Sequence, residues 1–165
     1  MLGMRGSEFQ QYFEKIPIIN QQFLKVISID EIPKDIKNKH FIISNLSPSN
    51  EAGSHWITFL RSENDTLEIF NSLGMASIES IKPYLNFKKR LNIVFNEEKF
   101  QGNDSTSCGF FCIYFIVHRL LNLDMSFDHT LEHIFSSNYK INETRVVNFC
   151  KNLLDGDQNI FENYD

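Results

Sequence analysis

The feature that most constrains the fold is an apolar segment in the second half of the chain, residues 108–121. It follows a polar loop, residues 101–107, whose Ser and Thr residues are typical of the start of a helix. The length and nearly continuous apolar character of the segment predict a helix buried on all sides. The segment runs into His118 and Arg119 before it reaches the roughly 18 residues that a bilayer span requires. We therefore predict a core helix that begins at Cys108.

Four short apolar or alternating runs precede this helix and predict strands of one sheet. Polar loops separate these runs, which cover residues 41–46, 55–60, 67–70 and 91–95. Residues 77–85 carry apolar side chains at helical spacing, which predicts a crossover helix between the last two strands. Mixed apolar spacing over residues 10–30 predicts short helices broken at Pro17. Two further helices are predicted within residues 128–135 and 143–154.

The length of the chain indicates how it is organised. With 165 residues, of which 42% are hydrophobic, the chain can bury one sizeable core and is too short for two full domains. The opening residues include Gly-Ser-Glu-Phe, a segment typical of an expression-vector scar. We predict a tag or disordered tail over residues 1–9, followed by a single domain over residues 10–165.

Net charge and cysteine content bear on partners and location. A formal net charge of -5 argues against a nucleic-acid-binding surface, which needs clustered Lys and Arg. The three cysteines are an odd number, and no secretory segment precedes them, so a disulfide framework is not expected. Free thiols fit a reducing compartment, and we expect an intracellular protein of the cytoplasm or nucleus of the host cell that is not embedded in a membrane.

The first residue of the predicted core helix is the most informative chemically. A thiol at a helix N-terminus lies beside backbone N–H groups that have no partner within the helix, at the positive end of the helix dipole. Both effects favour the thiolate, so we predict that Cys108 is a nucleophile with a lowered pKa. The same N–H groups suit a developing oxyanion. The alternative is a small hydrophobic residue that only caps a core helix.

Three polar residues upstream supply partners for such a nucleophile. Gln101 lies in the loop that leads into the helix, where its side-chain amide can reach the carbonyl oxygen of a bound substrate. His55 begins the second predicted strand, after Gly53 and Ser54, and Asn71 directly follows the third. We expect Asn71 to orient the His55 ring and to fix the tautomer that takes the thiol proton. Base, orienting residue, oxyanion donor and nucleophile thus follow one another along the chain.

Four motifs in this order resemble a known family. They are Gly53-Ser54-His55-Trp56, Phe70-Asn71-Ser72-Leu73-Gly74, Gln101 and Ser107-Cys108-Gly109-Phe110-Phe111-Cys112. Together they resemble the adenovirus protease (adenain) family and, more broadly, the SUMO and ubiquitin-like protease clan, over roughly residues 30–122. Proteases of Maverick or Polinton elements and of other large DNA viruses share the pattern. The resemblance implies an α+β, papain-like fold with a central mixed sheet and flanking helices, in which the catalytic helix begins at the cysteine.

The resemblance also implies roles for the residues that match. His55 matches the base of the family, Gln101 its oxyanion glutamine and Cys108 its nucleophile. Trp56 matches the aromatic residue after the histidine, which is expected to pack beside the cleft. Asn71 stands where the family usually has Asp or Glu. An amide can orient the imidazole but cannot stabilise its cation by charge, and papain-like proteases work with a Cys-His-Asn triad.

These observations predict a cysteine endopeptidase without a cofactor. The resemblance implies cleavage after small-residue motifs, often containing Gly, in a protein or polyprotein substrate such as a viral or transposon capsid precursor. Two alternatives stay open, namely an isopeptidase that removes ubiquitin or a related modifier, and a catalytically weakened binding module descended from a protease. DNA and a disulfide-linked peptide help the adenovirus enzyme, but neither activator is assumed for this chain.

Other cysteines and histidines raise the question of a metal site, which we do not expect. Cys112 lies one helical turn after Cys108, but its apolar surroundings suit core packing better than zinc binding. Cys150 is expected to be structural in the same way. His129 and His133 have the spacing of a metal pair, but no Glu occupies the position that the metalloprotease motif requires.

Overall fold

The computed structural model describes residues 3–157, and in this part of the chain a five-stranded sheet forms the centre of the fold. The strands are β1 (Phe23–Ser28), β2 (Phe41–Asn45), β3 (Trp56–Arg61), β4 (Thr66–Phe70) and β5 (Asn92–Phe95), and they lie side by side in chain order. β1 and β2 are parallel, as are β4 and β5, whereas β3 is antiparallel to both of its neighbours. The predicted α+β fold with a central mixed sheet is confirmed.

Helices lie before and after the sheet along the chain. The α-helices are α1 (Phe9–Phe13), α2 (Pro17–Gln22), α3 (Cys108–Leu121), α4 (Phe127–Ile134) and α5 (Tyr139–Leu154), and single 3-10 turns occur at Gly6–Glu8, Ile29–Glu31 and Lys82–Tyr84. α3 has the bounds that its apolar pattern predicted. Its residues from Phe111 to Arg119 are all buried. No helix of residues 3–157 is long and apolar enough to cross a membrane.

The sheet is covered on both faces, and the alternation of side chains along its strands divides the core into two clusters. In β2, Phe41 and Ile43 pack with the helical side, which includes α1, α3 and α5, whereas Ile42 packs with the opposite side. In β4, Phe70 and Ile69 divide in the same way. All five positions of β2 are buried for this reason. α3 therefore packs on one face of the sheet, and this packing fixes the position of its first residue.

Two secondary-structure predictions differ from the structure. Residues 10–30, whose mixed apolar spacing predicted short helices, include the strand β1, which pairs with β2. Leu24 in this edge strand is exposed, so the strand lacks the regular alternation that would have revealed it. The crossover helix predicted over residues 77–85 is limited to the 3-10 turn Lys82–Tyr84, because Pro83 lacks the backbone N–H that a continuing helix needs. Pro17 does separate two short helices, and it begins the second of them.

The structure also differs from the predicted tail over residues 1–9, of which residues 1 and 2 lie outside the described range. Gly6–Glu8 form a 3-10 turn, and Phe9 begins α1. The Phe9 ring has no exposed surface and packs against Phe13 and Trp56. Because burial of an aromatic ring holds the chain on either side of it, this segment is part of the fold from Gly3 onward.

Candidate active site

A cavity of about 530 Å³ opens where α3 begins. Most of its wall comes from the chain around the start of β3, the loop before α3 and the N-terminal segment that precedes α1, and Asn45 of β2 and Leu73 after β4 complete it. Four of the five residues singled out in the sequence line this cavity, namely His55, Trp56, Gln101 and Cys108. Asn71 lies behind His55 and is bonded to it. The structure thus brings together all five.

His55 and Asn71 form a hydrogen bond whose direction can be assigned. His55 Nε2 lies 2.8 Å from Asn71 Oδ1, and both side chains are buried. The backbone N–H of Leu73 donates to the same Oδ1 at 3.0 Å, which identifies that atom as the oxygen of the amide. An amide oxygen can only accept, so Nε2 carries the proton. In a neutral ring, Nδ1 is therefore the nitrogen with a lone pair.

The ionisation of His55 is shifted towards the neutral form. Burial lowers the pKa of His55, and the hydrogen bond to Asn71 opposes this effect without overcoming it. The imidazole is therefore uncharged at neutral pH, which is the state that a general base requires.

Asn71 is itself held by a residue that the sequence analysis missed. Asn96 Oδ1 accepts from the Asn71 backbone N–H at 2.9 Å, and Asn96 Nδ2 donates to the Asn71 carbonyl at 2.6 Å. Both residues directly follow strands that are neighbours in the sheet, β4 and β5. Polar residues just after two adjacent strands were the signal that could have found this pair, because parallel strands end at the same edge of a sheet.

Cys108 is half-buried at the first position of α3. Burial raises the pKa of its thiol, whereas hydrogen bonds from the backbone N–H groups of Trp56, Gly109 and Cys108 itself oppose the rise. The lowered pKa predicted from the helix N-terminus alone is therefore not what the structure gives. Desolvation outweighs the N–H groups, and the resting residue is a neutral thiol that lines the same cavity as the neutral imidazole of His55. The N–H of Trp56 is a donor that sequence reasoning did not anticipate.

Gln101 is almost fully buried in the cavity wall and is held at both ends of its amide. Ser72 Oγ donates to Gln101 Oε1 at 2.5 Å. Gln101 Nε2 donates to the carbonyl oxygen and to the hydroxyl of Ser105, both at 3.1 Å. The backbone N–H of Gln101 also bonds to the carbonyl of Ser72. The glutamine amide is thus fixed at the edge of the cavity and already faces two oxygens of its own loop.

Trp56 lines the cavity as predicted, but its far side is covered by the N-terminal segment. Its indole Nε1 donates to the carbonyl of Met4 at 2.8 Å, and its ring meets Phe9 edge to face, with centroids 5.2 Å apart. Gly3 and Met4 line the cavity too. Gly109, next to the nucleophile, makes room for this segment, because a Cβ there would lie 2.8 Å from Met4 Cβ.

The remaining cysteines and histidines lie away from this cavity. Cys112 and Cys150 are buried in the helical core, and their thiol pKa values are raised by burial. Over residues 3–157, no group of three or more His, Cys, Asp or Glu side chains is arranged to hold a metal ion.

The mixed sheet, together with a buried helix that begins at a cysteine in the same cavity as a histidine, defines a protease-type α+β fold. Comparison with known proteins bears this out at the level of the fold. No family model matches the sequence, and no curated protein sequence matches it. The crystal structure of the ASFV pS273R protease is similar, with a TM-score of 0.58 and 16% identity over 92% of this chain and 67% of that one. The central domain of the uncharacterized Lpg1148 protein from Legionella pneumophila has a TM-score of 0.53 and 15% identity, over 94% of this chain and 99% of that one. The chain therefore shares the fold of the ASFV pS273R protease.

Proposed function

We propose that this protein is a cysteine endopeptidase. In this proposal Cys108 is the nucleophile, His55 its base, Asn71 the residue that orients the base, and Gln101 an oxyanion donor. The hydrogen bond from His55 Nε2 to Asn71 Oδ1 carries the proposal, because it leaves the Nδ1 lone pair of a neutral imidazole as the proton acceptor in the cavity that Cys108 lines.

The reaction proceeds through a thioester. The Cys108 thiol attacks the scissile carbonyl carbon while its proton passes to His55 Nδ1, and a C–S bond forms. The tetrahedral intermediate then collapses, the C–N bond breaks, and the proton on His55 passes to the leaving amine. Water attacks the thioester with His55 again as base, which releases the carboxylic acid and restores the thiol.

The neutral resting pair affects the timing of proton transfer. With a raised thiol pKa and a lowered imidazole pKa, the resting pair is uncharged, so His55 has to take the thiol proton before or during the attack. The backbone N–H groups of Trp56, Gly109 and Cys108 stabilise the negative charge that develops on the sulfur. Once the C–S bond has formed, the Cys108 N–H and the Gln101 amide serve the oxyanion. For this, one Gln101 N–H turns from the Ser105 carbonyl towards the substrate, while the bond to Ser105 Oγ is kept.

The substrate we propose is a protein, and more narrowly a viral or transposon polyprotein or capsid precursor. Two observations support this proposal, namely the four motifs that resemble the adenovirus protease family and the likeness in fold to the ASFV pS273R protease. Free thiols persist most readily in a reducing compartment, so we propose that the protein acts inside the host cell.

Digestion of a peptide library tests the proposal. The wild-type protein is incubated under reducing conditions with peptides derived from a cell proteome, and new termini are identified by mass spectrometry. Cleavage by the wild type that disappears in Cys108→Ala is expected. Cys112→Ala is the matched control, because this thiol lies on the same helix but outside the cavity, and it should keep the cleavage pattern.

Three results would count against the proposal. Cleavage that persists in Cys108→Ala would remove that residue from the mechanism. A wild type that cleaves no library peptide, but releases the fluorophore from a ubiquitin–fluorophore conjugate, would show an isopeptidase. If neither substrate reacts and alkylation does not distinguish Cys108 from the buried thiols, the protein is a binding module.

A further inference from the structure

A glutamate on the last described helix is bonded to the loop that carries the oxyanion glutamine. Glu143 lies on α5, and its side chain is half-buried. Its Oε2 accepts from Ser105 Oγ at 2.7 Å, and its Oε1 accepts from Ser107 Oγ. These serines are 38 and 36 residues away in sequence. One carboxylate therefore anchors both ends of the segment 105–107, directly before the nucleophile.

The carboxylate sets the direction of the hydrogen bonds in this loop. An ionised carboxylate can only accept, so the hydroxyl hydrogen of Ser105 points at Glu143. The lone pairs of Ser105 Oγ then face the other way, where they accept from Gln101 Nε2 and from the backbone N–H of Ser107, both at 3.1 Å. Without Glu143, the Ser105 hydroxyl could rotate, and the Gln101 amide would lose a fixed partner.

The opposite end of the glutamine amide is fixed by the donor Ser72 Oγ. A chain of hydrogen bonds therefore runs from Ser72 through Gln101 to Ser105, and each residue donates to the next. The Glu143 carboxylate is the acceptor at the end of this chain. Chains of this kind hold a polar side chain in one orientation because each hydroxyl has one hydrogen to donate.

Resting on the proposed function, we propose that Glu143 is a positioning residue for catalysis, which acts through Ser105 to hold the Gln101 amide where the oxyanion forms. Glu143 does not line the cavity that contains Cys108, so its effect on turnover is indirect. A purely structural role, in which Glu143 only ties α5 to the loop, predicts different kinetics.

Kinetics of single and double variants separate the two roles, with the best library peptide as substrate. Glu143→Ala should lower kcat by about tenfold or more and leave KM within about twofold, since a misplaced oxyanion donor weakens mainly transition-state binding. Gln101→Ala should cost about a hundredfold. Adding Glu143→Ala to Gln101→Ala should have little further effect, because both changes disable the same donor. Glu132→Ala, at an exposed glutamate on α4, is the matched control.

Three kinetic results would overturn this inference: an unchanged kcat in Glu143→Ala, a change confined to KM, or losses that multiply in the double variant. NMR of the Gln101 side-chain amide gives a test independent of hydrolysis, the signal being assigned by its absence in Gln101→Ala. In Glu143→Ala this signal should move and exchange faster with water, and an unmoved signal would refute the inference. If the wild type cleaves nothing, the proposed endopeptidase activity fails, and this amide signal alone decides whether Glu143 positions Gln101.

Discussion

Replacement of Glu68 by Gln should destabilise the fold strongly, because it removes the counter-charge of a buried arginine. Glu68 lies on β4, and its two carboxylate oxygens accept from Arg119 Nε at 2.6 Å and from Arg119 Nη2 at 2.9 Å. The side chains are 2% and 4% exposed, respectively. Arg119 is in the last turn of α3, and its Nη1 donates to the carbonyls of Asn122 and Met125. This pair therefore ties the far end of the nucleophile's helix to the sheet.

The size of the effect follows from burial. Glutamine keeps the shape of the side chain and one acceptor, but its NH₂ group faces a guanidinium that is also a donor, and the arginine charge stays buried without compensation. Breaking a buried pair in this way costs about 3–5 kcal/mol, against a total unfolding free energy of about 5–15 kcal/mol for a domain. Urea denaturation followed by the fluorescence of Trp56 measures this loss.

A surface pair provides the matched control. Glu79 lies 3.7 Å from Lys82, with side chains 74% and 64% exposed, respectively, so Glu79→Gln should leave the urea midpoint nearly unchanged. A Glu68→Gln variant as stable as Glu79→Gln would refute the argument. The double variant Glu68→Leu with Arg119→Leu should be more stable than Glu68→Leu alone, because it leaves no charge buried.

Two further predictions concern histidines. Burial, with His133 and Arg145 nearby, lowers the pKa of His118 to about 4 from 6.5. Between these pH values the unfolded chain binds a proton that the folded chain does not, so the unfolding free energy decreases as the pH is lowered, by about 2–3 kcal/mol from pH 7 to pH 4.5. Urea titrations of His118→Gln at pH 7 and pH 4.5 should therefore show a smaller loss of unfolding free energy than those of the wild type. Equal losses in the two proteins would contradict this. Asn71→Asp keeps an acceptor for His55 and adds a charge that raises the pKa of this base. The acid limb of kcat/KM should therefore move to higher pH, with the plateau preserved or raised, and complete loss of activity would refute the role of Asn71.

The local pattern was enough to predict the elements that lie in the core. The bounds of α3 came directly from its apolar run, and β2 to β5 fell within a few residues of the predicted strands. The edge strand β1 and the single turn at Lys82–Tyr84 were not predicted correctly. An edge strand with exposed Leu24 has no clear alternation, and the effect of Pro83 outweighed the helical spacing around it.

The order of the candidate site residues, and their positions at the ends of elements, predicted that they meet. In the structure four of them line one cavity, and Asn71 is bonded to His55 behind it. The sequence analysis did not identify their partners. Asn96 and Glu143 lie 25 and at least 36 residues from the residues they bond, and no local spacing connects them. Met4 lies in the cavity wall because the N-terminal segment packs on Trp56, whose indole donates to the Met4 carbonyl and whose ring contacts Phe9.

The protonation states of Cys108 and His55 depend on the tertiary structure more than any other property of the site does. The sequence by itself determined that a thiol begins a buried helix and that a histidine, an asparagine and a glutamine precede it in the chain. It indicated a lowered pKa for the Cys108 thiol, since the helix terminus and a histidine partner were the influences visible in the sequence. Only the tertiary structure decided that Cys108 and His55 are desolvated enough to rest as neutral groups. Desolvation depends on every neighbour that excludes water, and those neighbours come from all parts of the chain.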